Sequence, residues 1–206
     1  AAKRYGLASI ATGRSGVEAL AATMLEHSAR PLHLSLTEIP PSSAKEALSL
    51  FRSLLCWAGE RADPCPSAQG HLFLQSAMES KELRAEVYMQ LLKQLSAPPA
   101  EAGTGTAQKY WDMLALTLLC APPDAGCDDF VHAYVVKHAP DAASRRRLVA
   151  QIHKGRYKQE LLTELPPADR LPDTARAFFG LRGKAASRFS AEDLMTASMH
   201  ASEIAS

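Results

Sequence analysis

The stretch LRAEVYMQLLKQL, from Leu83 to Leu95, decides the reading of this chain. At about 100° per residue, with Leu83 at zero, Val87, Leu91, Leu95 and Leu92 span roughly 0° to 180° of a helix. Arg84 falls at roughly 100°, inside that apolar arc, and Gln94 at roughly 20°, with Gln90 at its edge. Glu86 and Lys93 share the opposite side, which the pattern predicts to face solvent. A polar group inside the arc costs on the order of 1–3 kcal/mol unless it is hydrogen-bonded. Arg84 and Gln94 are therefore expected to reach backbone carbonyls or a carboxylate of a neighbouring helix, with Asp112 a candidate partner for Arg84. The alternative is an Arg84 that clamps an anion through its planar fork. No glycine-rich phosphate loop and no second basic residue converges on it, so the segment reads as architecture.

Working outward, helix signals recur and strand signals hardly appear. SSAKEALSLFRSLLCWAGE holds a capping box, Ser43 followed three residues later by Glu46. Its Ala47, Leu50, Phe51, Leu54, Leu55 and Ala58 keep one helical face, and Gly59 offers a stop. Val17, Leu20, Ala21, Met24 and Leu25 repeat the spacing earlier. Further helices are predicted over 71–78, 80–96, 106–120, 128–139 and 141–154. Asp128, Asp129 and Asp141 stand at helix starts, where a carboxylate suits the free amides. TAQKYWDMLALTLLC, 106–120, is apolar nearly all round from Trp111 and belongs at the centre of a bundle. Breaks fall at DPCPS, APPAEAGTGT, APPDAGCDD and ELPPADRLPD.

The fold class expected is all-α, a compact irregular helical bundle with a short C-terminal helical appendage. Residues 1–29 form a helical lead-in, 30–165 the domain, and 166–206 a linker and appendage. That last part is rich in alanine and serine, with a capping pattern from Ser190 to Asp193. Its sparse apolar residues, Phe178, Phe179, Leu181, Leu194 and Met195, suit docking on the bundle or on a partner.

Composition narrows the function classes. The 206 residues carry a formal net charge of +1, so any charge-based function is local. Aromatics at 6% argue against base stacking, and no nucleic-acid partner is expected. No apolar run approaches the roughly 20 residues of a membrane span. Cys56, Cys65, Cys120 and Cys127 show no zinc-type pairing and suit a reducing, cytoplasmic compartment. Cys127, His132 and His138 fit no standard ligand spacing, and His132 and His138, six residues apart, fall on different helix faces. Nothing resembles a nucleophile elbow or phosphate loop, so no enzyme, metal or cofactor is expected. The chain opens at Ala1 without methionine, as a fragment of a larger protein would.

LRAEVYMQLLKQL followed by KYWDMLALTLLCAPP resembles the central signature of the myosin tail homology 4 domain. Leu83, Arg84, Glu86, Tyr88, Gln90, Lys93 and Gln94 match one by one, as do Trp111, Leu114, Leu116 and Pro123, with Asp112 beside the tryptophan. PLHLSLTEIP and AKEALSLFRSLLCWAGE resemble the family's entry loop and first long helix. Ala85 replaces the usual aspartate, Met89 a common cysteine, and APPAEAGTG the asparagine–proline step. The resemblance covers about 30–165. It implies a compact all-α module of unconventional myosin tails, some kinesins and a few Rho-GTPase-activating proteins, serving in microtubule and cargo binding. Such modules usually precede a FERM domain, for which the residues after Pro167 are too few.

The basic residues are uneven. From Phe130 to Leu165 seven basic residues face three acidic ones, a local +4. They are Lys137, Arg145, Arg146, Arg147, Lys154, Arg156 and Lys158. Leu148, Val149 and Ile152 mark the inward face of 141–154, so Arg146, Arg147 and Lys154 project outward. Arg145 sits over the apolar arc and suits a first-turn or internal contact. The expected function is a non-enzymatic cytoskeletal module of a motor tail or adaptor. It would bind microtubules or cargo through Lys137, Arg146, Arg147, Lys154, Arg156 and Lys158, beside other domains of a longer motor chain. Its place would be the cytoskeleton, cilium or axoneme included. The alternative is a scaffold holding a partner helix in an apolar groove, which Phe178 and Phe179 could fill in cis.

Overall fold

The computed structural model describes residues 25–96, 105–157, 159 and 161–181. Seven α-helices run through them: α1 Ala44–Ala58, α2 Pro66–Glu79, α3 Lys81–Leu95, α4 Thr106–Cys120, α5 Asp128–His138, α6 Ala142–Arg156 and α7 Leu171–Phe178. Among the described residues there is no strand. The earlier candidate helix (Val17, Leu20, Ala21, Met24), the Ser190–Asp193 cap and the apolar tail residues Leu194 and Met195 lie outside the described residues.

The apolar all-round pattern of α4 places it at the centre, packed against α1, α2, α3, α6 and α7. Tyr110, Trp111, Met113, Leu114, Leu116 and Leu118 are buried along it. Gly70 lets α2 approach: a β-carbon there would lie 2.4 Å from Trp57 Cε3 and 3.1 Å from Met113 Cε. Trp57 Nε1 in turn donates to the Lys109 carbonyl at 2.9 Å. Tyr88 donates its buried hydroxyl to the carbonyl of Ala121 at 2.9 Å, fastening α3 to the end of α4. Gly59 stops α1 at φ 86, in the left-handed region where a side chain is strained. The predicted capping box at its start does not form. Pro41–Ser43 make a 3-10 turn, Ser43 takes helical angles without capping, and its hydroxyl turns to Glu82 at 3.4 Å.

Helix α3 answers the question its sequence poses, and corrects part of the reading. Glu86 and Lys93 do not face solvent: they are 0% and 5% exposed. The segment 25–40, which has no long regular structure of its own, lies over that side of α3. An irregular strap brings unpaired amides and carbonyls with it, and these need partners. Glu86 accepts from Leu36 N at 2.9 Å, Thr37 N at 2.6 Å and Thr37 Oγ1 at 2.7 Å. Lys93 donates to the carbonyl of Glu26. Gln90 donates to the carbonyl of Ala47 and to Glu86, both at 2.9 Å.

Gln94 does reach the backbone and a carboxylate, as expected. It brackets Ser28, accepting from its amide and donating to its carbonyl, both at 3.2 Å. It also contacts Glu60 Oε2 at 3.2 Å and the Tyr110 hydroxyl at 3.0 Å. Glu60 is shared further: His27 Nε2 lies 2.6 Å from its Oε1, and Tyr110 donates to its Oε2 at 2.6 Å. Burial and then this bond to Glu60 push the Tyr110 hydroxyl well above its ordinary pKa. Arg84 does not pair with Asp112. Its Nε donates weakly to the carbonyl of Ala77 at 3.4 Å, while Asp112 accepts from Gln108 at 2.8 Å. Burial raises the Asp112 carboxyl, with Gln108, Arg176 and Lys109 opposing it. Thus α3 carries apolar residues toward the core and a polar clamp toward the strap.

Helix α7 is the docked part of the appendage. Leu171, Ala175 and Phe179 are buried in the main core, and Phe178 and Phe179 meet edge to face at 5.1 Å. It packs on α4 and α2.

Candidate interaction face

Helix α6 is built to present cations. Asp141 caps it as predicted, its Oδ1 accepting from Ala143 N at 2.8 Å and Ser144 N at 2.9 Å. The Ser144 hydroxyl donates to Oδ2 at 2.6 Å. That bond first, and the cap amides with it, hold the carboxyl below its ordinary range. Ser144, Leu148, Gln151, Ile152 and Gly155 face inward. Gly155 permits the close seat: a β-carbon there would stand 2.6 Å from Pro122 Cβ. What remains outward between Ala142 and Arg156 includes five cations and no acid.

The structure sorts the six predicted contact residues unequally. Arg146 is exposed, and Lys137, in the last turn of α5, is exposed too. Arg147 is exposed but rests against Gly180, just beyond α7. Lys154 is half-buried. Arg156 belongs to an ion pair, Nε 2.5 Å from Asp128 Oδ2 and Nη2 2.6 Å from Asp129 Oδ1. It therefore pins the end of α6 to the start of α5, and these two aspartates serve that pair instead of capping their helix. Lys158 lies outside the described residues. Arg145, read as a first-turn or internal contact, stands in the first turn of α6 and donates to the Val136 carbonyl at 3.4 Å from an exposed position.

Two features escaped the sequence reading. Phe130 on α5 is 48% exposed and Tyr157, at the end of α6, is 74% exposed, so apolar surface borders the cations. For Phe130 the signal existed: Val131 and Val135 mark the inward face of α5, which leaves Phe130 and Lys137 together outside. The contact of Arg147 with Gly180 joins residues distant in sequence and had no signal.

No enzyme-like arrangement assembles from the candidates considered. His132 meets His153 edge to face at 5.5 Å, and His138 stacks on Tyr134 at 4.5 Å, so the two histidines serve different contacts. Among the described residues no group of three or more His, Cys, Asp or Glu is placed to hold a metal. Among them also, no helix is long and apolar enough to cross a membrane. All four cysteines are free thiols, Cys65 exposed and the others buried.

Comparison with known proteins bears on these helices directly. The MyTH4 domain model matches residues 71–169. The high molecular weight form of myosin-1 from Acanthamoeba castellanii is 33% identical over 108 residues, 52% of this chain. The chain spans only 7% of that protein's length. Among solved structures, the Dictyostelium discoideum myosin VII MyTH4-FERM MF2 domain, mutant 1, superposes with a TM-score of 0.63 at 17% identity. That match covers 80% of this chain and 36% of the other. The human myosin 7b C-terminal MyTH4-FERM domain, solved with the harmonin-a PDZ3 domain, gives a TM-score of 0.61 at 19% identity, covering 74% and 32%.

Proposed function

From the match of residues 71–169 to the MyTH4 domain we propose that the helical body of this chain is such a domain, a non-enzymatic interaction module of a cytoskeletal motor tail. In this reading it works within the cytoplasm, on the cytoskeleton, and binds microtubules or an acidic cargo protein through the outward side of α6 and the end of α5. The observation that carries the reading is the unbroken sign of α6, five cations and no acid over one helix. Field from like charges on one face adds at range, steers an acidic partner and weakens with salt. Arg145, Arg146, Arg147 and Lys137 are exposed, Arg145 resting on the Val136 carbonyl. Arg156 is spent on Asp128 and Asp129 and adds little to that field.

The test is microtubule co-sedimentation across a salt series, with Lys137, Arg146 and Arg147 changed together to glutamate. Wild type should pellet at low salt, release as salt rises, and lose pelleting in the triple variant. Wild type that stays in the supernatant throughout refutes direct microtubule binding. The exposed Phe130 and Tyr157 favour a second reading, a partner held on an apolar surface. In that case binding in a pull-down survives the charge reversal and falls when Phe130 and Tyr157 become serine.

A further inference from the structure

We propose that α7 and the partner of the basic face compete for one guanidinium, that of Arg147. The inference rests on α6 being the partner face, and it assigns that face a regulator inside the same chain. Helix α7 closes with Gly180 at φ 72, its amide donating to Ala177 O at 3.0 Å and the Leu181 amide to Arg176 O at 2.9 Å. This αL turn sits at the negative end of the helix dipole. Arg147 lies over it: a β-carbon on residue 180 would stand 2.6 Å from Nη2, 3.2 Å from Cζ and 3.8 Å from Nε. The Nη2–Cζ–Nε edge of the guanidinium therefore lies along the bare face of the glycine, which a side chain would occupy.

The alternative tie for Arg147 is the Asp141 carboxylate, six residues back, which already accepts three bonds within the cap. On the α7 side the acid Asp173 is engaged by its own Arg176 at 3.0 Å. The contact of Arg147 outside its own helix is thus with the glycine turn that ends α7. A carboxylate of a partner takes a guanidinium through its two-pronged edge and draws it outward, off the glycine. Because coupling is reciprocal, a docked α7 weakens partner binding and a bound partner loosens the end of α7.

The experiment uses Gly180→Asn, since asparagine tolerates positive φ while its β-carbon fills the resting place of the guanidinium. Gly180→Ala is a second variant, and a thermal melt confirms that each folds. Phenylglyoxal modification mapped by mass spectrometry should find Arg147 slower than Arg146 in wild type and equal to it in Gly180→Asn. Equal reactivity already in wild type overturns the proposal. Binding to polyglutamate should tighten about two- to fivefold in Gly180→Asn, the size of a helix-end charge contact. The gain should vanish in an Arg147→Ala background. Wild type that binds polyglutamate with no change in the variants overturns the competition and leaves the basic face standing. Wild type that fails to bind polyglutamate overturns both.

Discussion

Glu86→Ala removes one acceptor from four donors at once: the Leu36 and Thr37 amides, the Thr37 hydroxyl and the Gln90 amide. Gln90 keeps its second bond to the Ala47 carbonyl, so three donors on the strap carry the loss. Each bond to a charged acceptor is worth about 1.5–3 kcal/mol, so the three together set a ceiling of about 9 kcal/mol. Water reaches the half-buried residues 36 and 37 once the carboxylate is gone and recovers part of it. The expected loss is about 3–5 kcal/mol, that of breaking a buried charged network. A domain holds only about 5–15 kcal/mol in total, so the variant should be marginal. Its Tm should fall by about 6–20 °C for a chain of this size. Urea unfolding followed by circular dichroism gives the number, and hydrogen exchange at the amides of 36 and 37 gives the place. Glu82→Ala is the internal control, because Glu82 is exposed on the same helix and its hydrogen bond among the described residues is a long one to the Ser43 hydroxyl at 3.4 Å. It should stay within about 0.5 kcal/mol. If Glu86→Ala matches that control and the two amides exchange no faster, the clamp does not hold the strap and the account of α3 is wrong.

Gly70→Ala should destabilise although alanine is the better helix former. The new β-carbon overlaps Trp57, an overpacking cost of about 1–3 kcal/mol against a propensity gain near 1 kcal/mol. A raised Tm would show that the Trp57 ring moves aside freely. Iodoacetamide at pH 8 should label Cys65 alone in the folded chain, because Cys56, Cys120 and Cys127 are buried. Burial pushes the Cys120 thiol up to about 12 and that of Cys127 to about 11. The unfolded chain loses these protons from its ordinary value of 9.0 upward, so this contribution to stability is full below pH 9 and declines above it. Fast labelling of Cys120 at pH 8 without denaturant contradicts the packing described.

Six of the described helices and the central place of α4 were legible because apolar periodicity is a local property of the chain, whereas α7 starts at Leu171 inside a stretch read as a break. The run from Trp111 to Cys120 is apolar nearly all round, and all of it but Asp112 and Leu119 is buried. The outer side of α3 was misread for a physical reason. Helical periodicity reports which side is apolar, and a polar side reads as solvated whether it meets water or irregular backbone. Glu86 and Lys93 meet backbone, and nothing within α3 records that. The proposed Arg84–Asp112 pair failed similarly, since Gln108 one turn away on the same helix was the nearer donor. The basic face was legible as composition, because like charges crowd one segment. Its internal division was not: Arg156 finds Asp128 and Asp129 across 27 or more residues, and Arg147 finds Gly180 across more.

The clamp also bears on how the chain meets mechanical load. Its anchors lie in series along α3, with Ser28 and the Glu26 carbonyl held at Gln94 and Lys93, and residues 36 and 37 held at Glu86. Seven residues of helix set those points about 10 Å apart. Tension applied through the N-terminal side would thus reach the outer pair first and the Glu86 anchor only after they had let go. Bonds broken one after another yield at lower force than bonds sheared together. The strap would peel before the helices part, making it the compliant element of a domain whose core stays rigid.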